Sequence, residues 1–485
     1  MQRIYSFALA AAVISLTGSG PAFNTDEAMI VERGTRAFDG VIEHPETFVQ
    51  PADGFDIGAL LSAAHGAPLP ICALAAQAVR NYGWSDWSDA PSTPLPRTVL
   101  PDARSHGRNR YDDGDDRTLS AADVQRLFEG LASDDACVRE LSVRLVARAE
   151  DSLVVPGLTT RLKSGSTQLR EVSALGLGLV GAEGATASDA LVAGLRDSEA
   201  GVRANSAWAL GRIENGRALG ALMGLFRDPV EMVRAAAVVA VGHMDSTSAV
   251  AALTRVVRQD EAASVRRVAA WALGQLEAHE AVTALAGALA QDKDGGVREM
   301  AAWALGEIED RSATSALVAA AKGDADDDVR ETAVWALAEI GDHSATEVLG
   351  QIVANDRSSR VRGTAAWGIG QIEDDDNGRA PAGLLQALKD GSADTRMKAA
   401  WALGQIGDSA ALPAIRDALK QEQSAEVSRA LIRALLKSGE HSESALNELL
   451  NSKDPRVREV AVRGLAGNNH FNPWPWPWPR PRPFP

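Results

Sequence analysis

From Leu119 to about Ala466 the chain alternates two kinds of apolar stripe, separated by short polar turns. One stretch shows the logic. Val282, Leu285, Ala286 and Leu289 stand at helical spacing between His279 and Gln291. Asp292-Lys293-Asp294-Gly295-Gly296 reads as a turn, and Val297 to Ile308 as a second helix stopped at Glu309-Asp310. On a helical wheel, Val297, Ala301, Ala304, Leu305 and Ile308 fall on one side as a single buried stripe. Trp303 falls on the other side, between Glu299 and Glu307, off the core stripe of its own helix.

The same phrase returns at a nearly fixed step. Its anchors are Val138, Leu169, Val202, Val233, Val265, Val297, Val329, Val361, Thr395, Val427 and Val457. A tryptophan follows six of them by six residues: Trp208, Trp271, Trp303, Trp335, Trp367 and Trp401. A step of roughly 32 residues predicts stacked helix pairs, each burying its apolar face on the next. The expected fold is all-α, an α-solenoid of about 11 helix-pair repeats.

Val265–Leu276, Val297–Ile308, Val329–Ile340 and Val361–Ile372 share V-R-x-x-A-A-W-A-L-G-x-I/L with small changes, each after an Asp-rich turn. This pattern resembles HEAT repeats of the short kind found in phycobilin lyase subunits, over roughly residues 119–466, the greater part of the chain. The resemblance implies a right-handed superhelix whose second helices line the concave side. It therefore implies an inner surface carrying the tryptophans.

The ends read differently. Arg3, an apolar run from Ile4 to Leu16 and small residues up to Ala22 read as a signal peptide over 1–22. Residues 23–83 form an N-terminal region with short helices, including a stripe of Ile57, Leu60 and Leu61. Residues 84–118 are rich in Ser, Pro, Asp and Arg and read as a disordered linker. Residues 467–485 alternate Pro with Trp474, Trp476, Trp478, Arg480 and Arg482, which favours polyproline II. This tail is similar to Trp/Pro-rich antimicrobial peptides. It is read as a stiff extension, a recognition or envelope-contacting segment, or an occupant of the chain's own groove. The two cysteines, Cys72 and Cys137, are either bridged in an oxidising compartment or buried as thiols.

The formal net charge of −16 disfavours nucleic acid and anionic membrane surfaces as partners. No run of apolar residues is long enough to predict a transmembrane helix. Zincin, P-loop, nucleophile-elbow and C-x-x-C signatures are absent from the sequence. One HEAT-repeat enzyme, deoxyhypusine hydroxylase, holds two irons through His-Glu pairs on its second helices. Here those positions read Arg267-Val268, Glu299-Met300, Glu331-Thr332 and Gly363-Thr364, and the lone pair His279-Glu280 opens a first helix. No metal or cofactor is expected.

The arginines of the Val-Arg pairs (Arg203, Arg234, Arg266, Arg298, Arg330, Arg362 and Arg458) follow Asp-rich turns, which predicts an Arg–Asp ladder between repeats. Gly211, Gly274, Gly306, Gly370 and Gly404 recur inside helices, which predicts close approach of an adjacent helix. For Trp208, Trp271, Trp303, Trp335, Trp367 and Trp401 two readings stand. Either the indoles finish the core between repeats, or they form a partly accessible ladder flanked by Glu299, Glu307, Glu331 and Glu339. In the second case Trp303→Ala would cost less stability than Leu305→Ala. The expected function is an exported, non-catalytic scaffold binding a protein or peptide, cationic or Pro-rich, in a Trp-lined acidic groove. The alternatives are an enzyme subunit related to the HEAT-like lyases and an envelope-associated protein held by its tail.

Overall fold

The computed structural model describes residues 56–68, 119–147, 149–182, 184–372 and 379–439, with isolated positions between 450 and 462. The regular elements among them are helices, and no strand occurs among the described residues. The signal-peptide, linker and tail readings lie outside the described residues. No described helix is long and apolar enough to cross a membrane.

The chain divides into two compact units, Met1–Ile213 and Glu214–Pro485. The first opens with α1 (Ile57–Ala64), then holds three helix pairs: α2 (Ala121–Leu131) with α3 (Ala136–Val146), α4 (Asp151–Ser164) with α5 (Thr167–Val180), and α6 (Ala185–Gly194) with α7 (Ala200–Arg212). Helix α1 packs on α2 and α3 and buries Ile57, Leu60 and Ala64. It covers the apolar end that a first repeat would otherwise expose. Asp135, the N-cap of α3, also accepts the Gly66 N–H at 2.7 Å, which ties this helix to the first pair. Ser120 and Asp123 form the capping box at α2 that their spacing predicts. Cys137 is disulfide-bonded, and the chain's other cysteine, Cys72, lies outside the described residues.

Among the described residues the second unit holds seven pairs. Its first helices are α8 (Leu219–Gly224), α10 (Val250–Gln259), α12 (Val282–Gln291), α14 (Thr314–Gly323), α16 (Thr346–Asn355), α18 (Ala382–Ala387) and α20 (Leu412–Gln421). Its second helices are α9 (Glu231–Gly242), α11 (Ala263–Gln275), α13 (Gly295–Ile308), α15 (Asp327–Ile340), α17 (Ser359–Ile372), α19 (Ala393–Ile406) and α21 (Ala425–Lys437). From α11 to α21, each second helix packs on its neighbours in that layer and, α18 to α20 included, on its own first helix. The expected α-solenoid is therefore present. The stripe of Val297, Ala301, Ala304, Leu305 and Ile308 is buried as the helical wheel requires.

Most second helices stop at a residue in left-handed conformation twelve positions after the anchor. Glycine fills it at Gly181 (φ 70°), Gly341 (63°), Gly407 (68°) and Gly439 (87°). An acidic residue fills it at Glu214 (48°), Asp245 (44°), Glu277 (45°) and Glu309 (55°). A side chain there costs about 1 kcal/mol, and a negative charge at a helix C-terminus adds a few tenths. Glu309→Gly should therefore stabilise the repeats by roughly 1 kcal/mol, read as a higher urea midpoint with an unchanged slope. A lower midpoint would contradict this account of the helix end.

Candidate functional site

Among the described residues the second helices carry every candidate side chain, so their packing decides what is exposed. Glycine stands nine positions after most anchors. A Cβ built on Gly178 would lie 2.6 Å from Trp208 Cζ3; the corresponding separations are 2.8 Å for Gly242 and Trp271, 2.9 Å for Gly274 and Trp303, 2.7 Å for Gly306 and Trp335, and 2.6 Å for Gly370 and Trp401. The same Cβ would stand within 3.0 Å of an alanine on the next helix, Ala209, Ala272, Ala304, Ala336 or Ala402. Each of these indoles thus lies against the bare backbone of the preceding second helix. The close-approach reading holds for Gly274, Gly306, Gly370 and Gly404.

This packing corrects the expectation of a partly accessible tryptophan ladder. Trp208, Trp271, Trp303, Trp335 and Trp367 are only 3% to 7% exposed. Of the six, Trp401 alone is half-buried. The rings lie off their own helix's stripe, but the neighbouring second helix covers them. Truncating Trp303 would open a core cavity worth about 3–5 kcal/mol, a range that overlaps the about 2–5 kcal/mol for Leu305→Ala, so burial removes the ground for expecting the tryptophan change to be the milder one.

Five of the expected arginines, Arg234, Arg266, Arg298, Arg330 and Arg362, form the ladder, and it includes two that the Val-Arg pattern missed, Arg170 and Arg396; Arg203 bonds the carbonyls of Asp197 and Ser198. Arg170 pairs with Asp197, Arg234 with Asp260, Arg266 with Asp292, Arg298 with Asp324, Arg330 with Asp356, Arg362 with Asp390 and Arg396 with Glu422, each through Nε at 2.7–2.8 Å. A second guanidinium nitrogen of Arg298 reaches the other oxygen of Asp324 at 2.9 Å, and its third bonds the Asp292 carbonyl at 3.0 Å. Asp324 in turn accepts the Asp326 N–H. Burial alone would raise these carboxyls. The guanidinium and amide hydrogen bonds overcome it and hold Asp292, Asp324 and Asp390 below the ordinary range. These arginines are thus engaged in structure.

What remains exposed on the second-helix face of α13 and α15 is acidic. Glu307 and Glu339 are exposed, while Glu299 and Glu331 are half-buried. Glu331 accepts from Thr364 Oγ1 at 3.1 Å and faces Arg360 Nε at 3.4 Å. Arg360 also pairs with Asp327 and Asp328. Burial pushes the Glu299 carboxyl up to about 7, and nearby Asp328, Asp326 and Glu331 push the same way against Arg267. Asp326, Asp328 and Arg360 were missed at the sequence level; they belong to the following repeats and show only when repeats are laid side by side. No group of His, Cys, Asp and Glu suited to a metal ion occurs among the described residues.

Four stretches, residues 188–274, 256–338, 314–382 and 380–466, match the family of HEAT repeats. They cover more than half of the chain, which belongs to the HEAT-repeat family. Among solved structures, importin-β aligns at a TM-score of 0.54 and 13% identity, over 91% of this chain and 65% of its own. Kap95p with RanGDP aligns at 0.52 and 15% identity, over 90% of this chain and 66% of its own. The chain thus spans about two thirds of the length of both, and at such identity the likeness is one of fold. The CpcE–CpcF complex of phycocyanin lyase from Nostoc aligns at 24% identity over 57% of this chain and 93% of its own, with a TM-score of only 0.28. No curated protein matches the chain.

Glu299 yields a pH prediction. Its carboxyl is raised from 4.5 to about 7 in the fold. Its favourable contribution is fully present below the lower value and is lost as the pH rises through the higher one. Glu299→Gln, which mimics the protonated form, should stabilise the protein at pH 8 by on the order of 1 kcal/mol, discounted for partial exposure, and leave it unchanged near pH 4. Thermal unfolding at the two pH values checks this. A variant equally or less stable at pH 8 would contradict the crowding of carboxylates at this site.

Proposed function

We propose that this chain is an exported, non-catalytic scaffold. It binds a cationic protein or peptide segment along the second-helix face that carries Glu299, Glu307, Glu331 and Glu339. The observation that carries this is the Glu299 carboxyl, pushed up to about 7 by burial and by acidic neighbours from the next repeat. A face whose carboxylates repel one another gains most from a cation laid across it. The tryptophans serve it indirectly, as the core that fixes the spacing of these glutamates, with Trp401 offering part of its ring. HEAT solenoids such as Kap95p, seen with RanGDP and with Nup1, bind protein partners, which supports the class. The disulfide at Cys137 fits an oxidising compartment and so supports export, together with the signal-peptide pattern of residues 1–22.

A fluorescent Arg/Pro peptide tests the face. Titrated into the full chain at low salt, it should bind, and Glu299→Gln, Glu307→Gln, Glu331→Gln and Glu339→Gln together should weaken it at least ten-fold and flatten its salt dependence. Equal affinity for both proteins would reject this face as the cation-binding surface.

A further inference from the structure

Where second helices meet in this part of the chain, the residue two positions after one anchor faces the residue just before the next. A Cβ built on Gly296 would lie 3.5 Å from Arg267 Cδ, and one built on Gly363 would lie 3.0 Å from Asp394 Oδ2. At the junction of α15 with α17 the two residues are Glu331 and Arg360, and Arg360 Nε stands 3.4 Å from the Glu331 carboxylate. Arg360 pairs with Asp327 and Asp328 as well, so the acids at the start of α15 have a counter-ion from their own chain. At the junction of α13 with α15 the two residues are Glu299 and Asp328. There an acid meets an acid.

The helices packed on α13 are α11, α12 and α15. From α11, Arg267 favours the charge of Glu299, while Arg266 is bound to Asp292. Helix α12 carries no charged residue. From α15 and its cap, Asp328, Asp326 and Glu331 oppose that charge, as burial does. On α13 itself Arg298 is bound to Asp324, and Glu307 lies about two turns further on. One arginine thus stands against three acids around a half-buried carboxyl. A guanidinium or ammonium group arriving from outside would supply the counter-ion that the next repeat does not, and would favour the ionised form. Binding of the cation and loss of the proton are then one linked event.

Resting on the cation-binding face proposed above, we infer that Glu299 couples that face to pH: it gives up its proton as a cationic side chain of the partner settles between it and Asp328, and the partner is released as the medium turns mildly acidic. In the free chain the carboxyl is raised to about 7, and in the complex it is held ionised, so affinity rises with pH. The expected gain is about ten-fold between pH 6 and pH 8.

The probe is a fluorescent Arg/Pro peptide with a blocked N-terminus, whose own charge is constant over this range. Titrated into the full chain at one low ionic strength, it should bind about ten-fold more tightly at pH 8 than at pH 6. Calorimetry at pH 7, in buffers of differing ionisation enthalpy, should show about half a proton released per peptide bound. Glu299→Gln should bind equally at the two pH values, and Asp328→Asn, which relieves Glu299 of one acid, should narrow the ratio. Equal affinity of the unsubstituted chain at pH 6 and pH 8 overturns the coupling. So does a ratio that survives Glu299→Gln or is untouched by Asp328→Asn. In each of those cases the cation-binding face still stands if the fourfold glutamine variant has lost affinity. Failure of the peptide to bind the unsubstituted chain at either pH overturns both the coupling and the face.

Discussion

The space between successive second helices admits one Cβ at its tightest point. A Cβ added to Gly274 would lie 3.0 Å from that of Ala304, and one added to Gly306 would lie 2.9 Å from that of Ala336. That closeness lets the indole of the following repeat rest on backbone, seals the core between repeats and sets the spacing at which all other groups appear. One junction makes the constraint plain. Where most others have glycine, α15 has Ala338, and where most others have alanine, α17 has Gly368; a Cβ on Gly368 would stand 3.2 Å from that of Ala338. The single Cβ has moved to the opposite helix, and Trp367 stays buried. At the junction of α19 with α21, Arg433 stands in the tryptophan position, and a Cβ on Gly404 would lie 3.6 Å from that of Ala434.

A polar register complements this apolar one. Arg298 bonds the carboxylate of Asp324 ahead and the carbonyl of Asp292 behind, and Arg330 repeats the arrangement with Asp356 and Asp324. Each of these turns is therefore clamped from both sides, and a one-residue slip between repeats would break bidentate pairs as well as drive backbone into an indole. With the ladder arginines committed to the turns, part of the charge left on the second-helix face comes from the side chains two and ten positions after each anchor, joined by groups such as Arg360 and Asp328. There the repeats differ from one another, and there binding specificity can vary without disturbing the stack.

The period, the helix pairing, the core stripe of Val297 to Ile308 and the Arg–Asp ladder were legible because each rests on spacing within one repeat or between adjacent turns. The burial of Trp303 was not, since a helical wheel shows one helix and the covering atoms belong to another. The signal was nonetheless in the sequence: Gly274 precedes Trp303 by the same step as Gly306 precedes Trp335. Reading the two recurrences together would have placed ring on glycine. The left-handed acids at helix ends escaped notice because Glu309 in a polar turn looks ordinary. The raised Glu299 carboxyl escaped because Asp326 and Asp328 reach it from a different repeat.

The central claim, one Cβ per junction, is tested most directly by a double-mutant cycle at the inverted pair, with stability measured for Ala338→Gly, Gly368→Ala and the two combined. The account predicts that the exchanged pair is more stable than the sum of the single changes by about 1 kcal/mol, because each single change either crowds two Cβ atoms together or leaves a gap. Strict additivity of the two substitutions would contradict it.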